Sequence, residues 1–119
     1  MNAFIAPEPD FSINVELEGA VADVAVSGEL DLATAPKLAR ALEDLPLTAS
    51  DVRLSLAAVW FADASAISRL ARSHHRLTQQ GRTVTVTHAS DGVLHVMNAT
   101  GLIDEFTVVD VPPTPLAES

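Results

Sequence analysis

The 119-residue chain carries 16 acidic and seven basic side chains, which gives it a formal charge of −9. So large a negative excess repels nucleic-acid backbones and anionic lipid surfaces, and we expect no direct binding to nucleic acid. The absence of cysteine excludes disulfides and thiolate chemistry and is typical of a cytoplasmic protein. The length fits one domain. Neither a membrane-spanning apolar run nor a secretory signal is visible, so we expect no membrane insertion.

The first part of the chain predicts a loose entry segment followed by two paired strands. Residues 1–10 contain two prolines and no sustained periodicity, so we expect them to be flexible. Apolar and polar residues then alternate from Phe11 to Leu17, and the alternation resumes at Val24. The short turn between these segments predicts antiparallel pairing. Gly28 indicates a bulge or close packing near the end of the second strand.

The next part predicts a helix and then the central strand. Thr34 is a candidate N-cap, and Pro36 lies in the first helical turn, where its missing amide is not needed. Apolar residues follow at helical spacing, namely Leu38, Ala41, Leu42 and Leu45. From Val52 to Leu56 apolar residues alternate with polar ones, which predicts a strand. We expect the apolar run that follows, up to Ala62, to continue deeper into the core.

A second helix follows this strand and carries the most conspicuous polar cluster of the sequence. Its apolar residues recur at helical spacing, namely Ile67, Leu70, Ala71, His74 and Leu77. Either Asp63 or Ser65 is suited to cap the helix, because each has a short side-chain oxygen that can accept from a first-turn amide. A carboxylate and a hydroxyl would then lie at its positive end. Arg69, Arg72 and Arg76 fall on one helical face and form a stripe that begins one turn after Ser65.

The remaining segments predict one more strand and a short third helix. Val84 and Val86 alternate with threonines, and Ser90 is a candidate N-cap for the helix that follows. Residues 106–109 are expected to add a short edge strand, and the proline-rich tail 111–119 is expected to be flexible. The order of elements predicts an α/β domain with a mixed sheet of four or five strands flanked by helices.

The sequence shows no convergent set of catalytic or metal-binding residues. His74 and His75 are adjacent and diverge by about 100° around a helix, whereas His88 and His95 lie in other elements. There is no Gly-x-Ser-x-Gly elbow of a serine hydrolase and no Walker-type loop. We therefore expect no metal, no cofactor and no enzyme activity.

Three segments together resemble one protein family. Residues 59–67 read Val-Trp-Phe-Ala-Asp-Ala-Ser-Ala-Ile, which is similar to the signature loop of STAS domains, the anti-sigma factor antagonists of bacteria. Residues 26–36 resemble the Gly-Glu-hydrophobic-Asp segment of that family. Residues 99–102 followed by Phe106 resemble the end of its third helix. The resemblance covers residues 11–110, which we expect to form a single STAS-like domain.

The resemblance implies a function and a set of site residues. In this family the hydroxyl at the position of Ser65 is phosphorylated by the partner, an anti-sigma factor with serine kinase activity, and a serine phosphatase resets it. The unphosphorylated form binds the anti-sigma factor and releases a sigma factor, so that transcription is regulated by partner switching. The residues expected at the partner surface are Asp63, Ala64, Ser65, Ala66, Arg69, Arg72, Arg76, Glu29 and Asp31.

Two residues of the signature loop depart from the family pattern. Ala64 stands where the family usually has serine, and Ala66 where it usually has glycine. Alanine is about 1 kcal/mol better than glycine inside a helix, so the helix start is expected to be stiffer. The methyl group of Ala66 adds bulk where a kinase would approach the backbone. The sequence leaves an alternative open, a STAS-type adaptor subunit of a lipid or solute transporter complex, in which Ser65 is only structural.

Overall fold

From residue 11 to residue 99, strands and helices follow one another in the order that the sequence predicts. The computed structural model describes residues 10–109 and, through their backbone, residues 2–8. In chain order the elements are β1 (Asn2–Glu8), β2 (Phe11–Glu18), β3 (Val21–Leu30), α1 (Ala35–Glu43), β4 (Asp51–Ala62), α2 (Ala64–Gln79), β5 (Thr83–Ala89), α3 (Asp91–Ala99) and a 3₁₀ helix (Leu102–Glu105).

The strands form one mixed sheet in the order β1-β2-β3-β4-β5. The pairs β1–β2 and β2–β3 are antiparallel, whereas β3–β4 and β4–β5 are parallel. Parallel neighbours need a crossover connection, and α1 and α2 supply the two crossovers. The predicted α/β fold with a mixed sheet is confirmed.

The prediction that residues 1–10 are flexible is wrong for residues 2–8, which form β1. This strand pairs antiparallel with β2 and places Ile5 opposite Ile13. Pro7 suggested a break in this segment, because proline cannot donate to a β-ladder. An edge strand pairs on one side only and tolerates proline. Pro7 lies in the stretch where the register of β1 on β2 shifts.

The three α-helices form one layer over a single face of the sheet. Along β4 the side chains of Val52, Leu54 and Leu56 are buried, whereas Arg53 on the opposite face is exposed. Helix α2 packs against both α1 and α3, and the buried side chains of strands and helices belong to one hydrophobic core. The expected flanking helices therefore cover one face, and we call the other the open face.

The apolar run at residues 57–62 does not continue into the core as expected. Val59 and Ala62 are buried, but Trp60 and Phe61 are 63% and 46% exposed. The register of β3 on β4 shifts twice beside this stretch. The chain is bulged there. Side chains that point away from the core lie on the open face, where no second layer of helices covers them among the described residues.

Gly28 allows the start of β2 to approach β3 closely, which confirms the predicted close packing. Its φ is +101°, and a Cβ at this position would lie 1.9 Å from the carbonyl oxygen of Asp10. The same oxygen accepts a hydrogen bond from the amide of Glu29 at 2.7 Å. A side chain at position 28 would therefore push Asp10 away from β3.

The predicted edge strand at residues 106–109 is reduced to one isolated parallel bridge between Val86 and Val108. Two backbone hydrogen bonds hold it, from Val86 N to the carbonyl of Thr107 and from Val109 N to the carbonyl of Val86. The predicted flexible tail, 111–119, lies outside the described residues. None of the described helices is both long and apolar enough to cross a membrane.

Candidate functional site

The polar cluster lies at the carboxyl ends of two neighbouring parallel strands. Leu30 ends β3 and Ala62 ends β4, and the two residues are partners in the register. The amide of Asp63 donates a hydrogen bond to the carbonyl oxygen of Leu30 at 3.2 Å. The loop after β3 and the first turn of α2 are therefore adjacent at one edge of the sheet, where ligands and partners of α/β domains commonly bind.

Asp63 is the residue that caps α2. Its backbone is extended, with φ −105° and ψ 169°, and its Oδ1 accepts a hydrogen bond from the amide of Ala66 at 2.8 Å. The same oxygen accepts a second hydrogen bond, 2.8 Å long, from the hydroxyl of Ser65. Of the two capping candidates in the sequence, Asp63 takes the role and Ser65 becomes its donor.

The three residues after the cap, Ala64, Ser65 and Ala66, differ in their exposure to solvent. Ala64 and Ser65 are exposed, so the Ser65 hydroxyl is accessible to a partner. Ala66 was expected at the partner surface, but it is fully buried. Its methyl group lines a narrow crevice between Leu30 and Leu38 and so fills the core. It adds no bulk to the surface that a kinase would approach.

The loop before α1 is closed by hydrogen bonds of its own. Thr34 occupies the N-cap position as predicted, but its side chain makes no capping bond. Instead Asp31 Oδ1 accepts from the amides of Ala33 and Thr34 at 2.9 and 3.0 Å. The Thr34 hydroxyl donates to the carbonyl oxygen of Glu29 at 2.8 Å. Glu29 and Asp31 thus lie at the carboxyl end of β3, where the Asp31 carboxylate holds its own loop.

The predicted arginine stripe is present, and one of its members is paired. Arg69, Arg72 and Arg76 are all exposed along α2. Arg76 Nη1 lies 2.6 Å from Glu43 Oε2 at the end of α1. Arg69 lines a groove of about 500 Å³ together with Lys37 and Arg40 of α1. The periodicity of α2 alone does not predict that Lys37 and Arg40 lie beside Arg69, because this depends on how α1 packs beside α2.

Two apolar side chains flank the polar cluster and were not predicted as surface residues. Leu32, in the loop after β3, is 74% exposed, and Phe61, at the end of β4, is 46% exposed. Phe61 is the register partner of Glu29. Exposed apolar side chains beside a polar site are typical of protein-binding surfaces.

The histidines do not converge on a site. His74 is buried, and its ring packs edge-on against Phe106 with the ring centres 5.5 Å apart. Burial lowers the pKa of His74, against the opposing effects of a backbone hydrogen bond with Val84 and the charge of Glu105. Across the described residues, no three His, Cys, Asp or Glu side chains are grouped as metal ligands.

Comparison with protein families assigns the fold. Residues 13–110 match the sequence model of a family described as Mlab, STAS domain. The protein belongs to the STAS domain family. The match covers β2 to the isolated bridge and includes the Asp63–Ser65 cluster. No curated protein matches the sequence significantly.

Solved structures show what this STAS domain is similar to. An anti-sigma factor antagonist from Mycobacterium paratuberculosis is 27% identical with a TM-score of 0.71, over 89% of this chain and 92% of that one. The Bacillus cell fate determinant SpoIIAA in its phosphorylated form is 13% identical with a TM-score of 0.62, over 82% and 90% of the two chains. The murine solute carrier 26 family member A9, an anion transporter, is 17% identical with a TM-score of 0.67, over 90% of this chain and 20% of the transporter. The last two similarities show a shared fold.

Proposed function

We propose that this STAS domain is an anti-sigma factor antagonist that is switched by phosphorylation of Ser65. The observation that carries the proposal is the Ser65 hydroxyl, which is exposed on the first turn of α2 and hydrogen-bonded to the Asp63 carboxylate. Similarity to an anti-sigma factor antagonist over nearly the whole of both chains supports it. In this proposal the domain is a cytoplasmic binding module and a kinase substrate, with no active site of its own.

The modification changes both the charge and the hydrogen bonding at the start of α2. Transfer of the γ-phosphoryl group of ATP replaces the hydroxyl hydrogen of Ser65 by a group with about −1.5 to −2 charges. The hydrogen bond from Ser65 to Asp63 is then lost, and the phosphate faces the carboxylate that had accepted it. First-turn amides, which have no partner within a helix, and the helix dipole stabilise the phosphate, so α2 stays folded.

The proposed partner is an anti-sigma factor with serine kinase activity. The unphosphorylated domain presents Asp63, Ser65 and Arg69 beside the exposed apolar side chains of Leu32 and Phe61. Binding of the anti-sigma factor here releases a sigma factor. Phosphorylation places negative charge in the middle of this surface and dissociates the complex, and a serine phosphatase restores the binding form.

Phosphorylation by the cognate kinase tests the assignment of Ser65. Incubation with kinase and ATP is expected to add one phosphate to the wild-type protein and none to Ser65→Ala, as read by intact-mass spectrometry. Ser68→Ala is the matched control, because Ser68 is also exposed and lies one turn further along α2. Equal labelling of Ser65→Ala and the wild type would refute the assignment.

A second candidate function is that of an adaptor subunit in a transporter complex. The presence of the STAS fold in an anion transporter favours it. In this role Ser65 is structural and α2 docks on a cytoplasmic component of the transporter. Affinity capture from native cells followed by mass spectrometry separates the candidates, since a kinase-like partner supports the switch and a transporter ATPase supports the adaptor.

A further inference from the structure

Trp60 lies on the open face of the sheet, and nothing in the described part of the chain covers its side chain. Trp60 is 63% exposed and is the only tryptophan in the sequence. Parallel strands are usually covered on both faces, yet β3, β4 and β5 have helices on one face only. Tryptophan is enriched at protein interfaces, because its ring is apolar and its N–H group can donate a hydrogen bond.

Trp60 forms one wall of a pocket of about 280 Å³. The floor of the pocket consists of Ser12, Ser27 and Ala58, which are neighbours across β2, β3 and β4. The two serine hydroxyls are hydrogen-bonded to each other at 2.6 Å. Because these side chains are small, space for a ligand remains beside the exposed indole ring.

Asp10 lines the same pocket, and Gly28 allows its backbone carbonyl to lie close to β3. The carbonyl of Asp10 is held on β3 by the amide of Glu29, in a space that any side chain at position 28 would occupy. The pocket therefore combines an aromatic ring and an acidic residue on a framework set by backbone contacts.

The charge of the surrounding surface decides which ligand fits. Arg53 is the only lysine or arginine in strands β2 to β5, and it is paired with Asp51 at 3.4 Å. Of the acidic residues of the same strands, Glu29 is adjacent to Gly28 of the pocket, whereas Glu16, Glu18, Asp23 and Asp51 lie toward the opposite end of the strands, as Arg53 does. A negative surface concentrates cations, and the face of an indole ring attracts them further through the cation–π interaction.

We propose that this pocket binds an arginine or lysine side chain from a basic segment of a partner protein, with the cation between Trp60 and Asp10. The pocket volume of about 280 Å³ lies below the range of about 300 to 1,000 Å³ that is typical of small-molecule sites, and it suits a single side chain. The pocket lies on the face opposite α2.

The fluorescence of Trp60 offers a direct test, because the sequence has one tryptophan and no tyrosine. The full-length protein is titrated with a synthetic peptide of alternating arginine and serine, and with a matched peptide in which glutamine replaces arginine. We expect a saturable change in Trp60 emission with the arginine peptide only, and weaker binding as the salt concentration rises.

Variants then separate a specific pocket from general charge attraction. Calorimetry is expected to show the affinity falling in the order wild type, Trp60→Phe, Trp60→Leu, with a loss of about two- to fivefold for leucine. Asp10→Asn is expected to weaken binding by a similar factor, roughly two- to fivefold. Asp44→Asn removes the same charge from the helical layer and should bind like the wild type. The Ser65→Ala variant should also bind the peptide normally, so the result is independent of the proposed switch.

Three results would overturn the proposal. The first is equal binding of the glutamine peptide, and the second is equal weakening by Asp10→Asn and Asp44→Asn. The third is a concentration-dependent dimer in size-exclusion chromatography that Trp60→Leu abolishes, since Trp60 would then contact a second copy of this chain.

Discussion

At the scale of single residues, one carboxylate oxygen organises the candidate site. Asp63 Oδ1 accepts hydrogen bonds from the amide of Ala66 and from the hydroxyl of Ser65, both at 2.8 Å. The first bond starts the helix, and the second orients an exposed hydroxyl. Asp63 therefore caps the helix and Ser65 carries the exposed hydroxyl, so Ser65→Ala removes the hydroxyl and leaves the cap in place.

We predict that Asp63→Ala lowers the free energy of unfolding by about 0.5 to 2 kcal/mol, because it removes the N-cap of α2. Ser65→Ala should change it by less than about 0.5 kcal/mol, because Ser65 is exposed and does not cap the helix. Denaturant unfolding of both variants and the wild type measures the difference. A cost for Ser65→Ala as large as that for Asp63→Ala would contradict the division of roles.

At the scale of elements, the two halves of α2 differ in what they contribute: one carries exposed polar residues and the other packs in the core. Its first turn carries the candidate site, whereas its second half buries His74 against Phe106, which follows the 3₁₀ helix. The Nε2 atom of His74 is buried without a hydrogen-bond partner among the described residues. A charged imidazolium would be poorly solvated there, which is why burial lowers the pKa of His74.

This burial predicts a pH dependence of stability. The unfolded chain binds a proton at His74 near the ordinary pKa of 6.5, but the folded protein does so only at lower pH. The free energy of unfolding should therefore fall as the pH drops from 6.5 through the folded-state pKa, by at most about 1.4 kcal/mol per pH unit. Thermal unfolding of His74→Gln should not show this pH-dependent loss of stability. Thermal unfolding of His75→Gln, which changes an exposed neighbour, should still show it. Parallel pH profiles for the wild type and His74→Gln would exclude His74 as the cause.

At the scale of the whole molecule, the few cations are concentrated on the helical layer. Five of the seven lysine and arginine residues belong to two helices, namely Lys37 and Arg40 of α1 and Arg69, Arg72 and Arg76 of α2. Arg82 is buried, where it donates hydrogen bonds to the carbonyls of Pro46 and Ala49. A chain with a formal charge of −9 therefore places most of its lysine and arginine residues on α1 and α2, and Arg69 lies one turn after Ser65.

We predict that Arg69→Glu slows association with the proposed anti-sigma factor partner by roughly tenfold at low salt, because it reverses the charge beside Ser65 that would attract acidic groups of that partner. Arg53→Glu is the matched control, since it makes the same change of charge on the open face. Stopped-flow kinetics at two salt concentrations provide the measurement. Equal rates for the two variants would remove Arg69 from the interface.

Periodicity predicted the elements well wherever one face of the chain is buried. The alternation at Val52 and Leu54 and the helical spacing of Ile67 and Leu70 report burial directly, and the structure has these residues in the core. The same signal failed at Trp60, because a run of apolar residues does not reveal whether a second layer covers the sheet. It also failed in β1, where proline indicates a break unless the strand is known to lie at an edge.

The site was predictable in its position but not in its hydrogen bonding. The Asp63–Ser65 cluster was located by residue type and spacing, and the structure places it at the end of β4 as expected. Whether Asp63 or Ser65 caps α2 depends on side-chain directions, which spacing does not contain. The burial of Ala66 likewise depends on how α1 packs against α2.

The hydrogen bond from Asp63 N to the carbonyl of Leu30 also determines how the site can open locally. This bond joins the ends of two parallel strands directly beneath the Ser65 turn. Any fluctuation that lifts the first turn of α2 away from the sheet must break it, and then exposes the Asp63 amide to exchange with solvent deuterium. The rate of exchange at that single amide therefore reports how often the site separates from its scaffold.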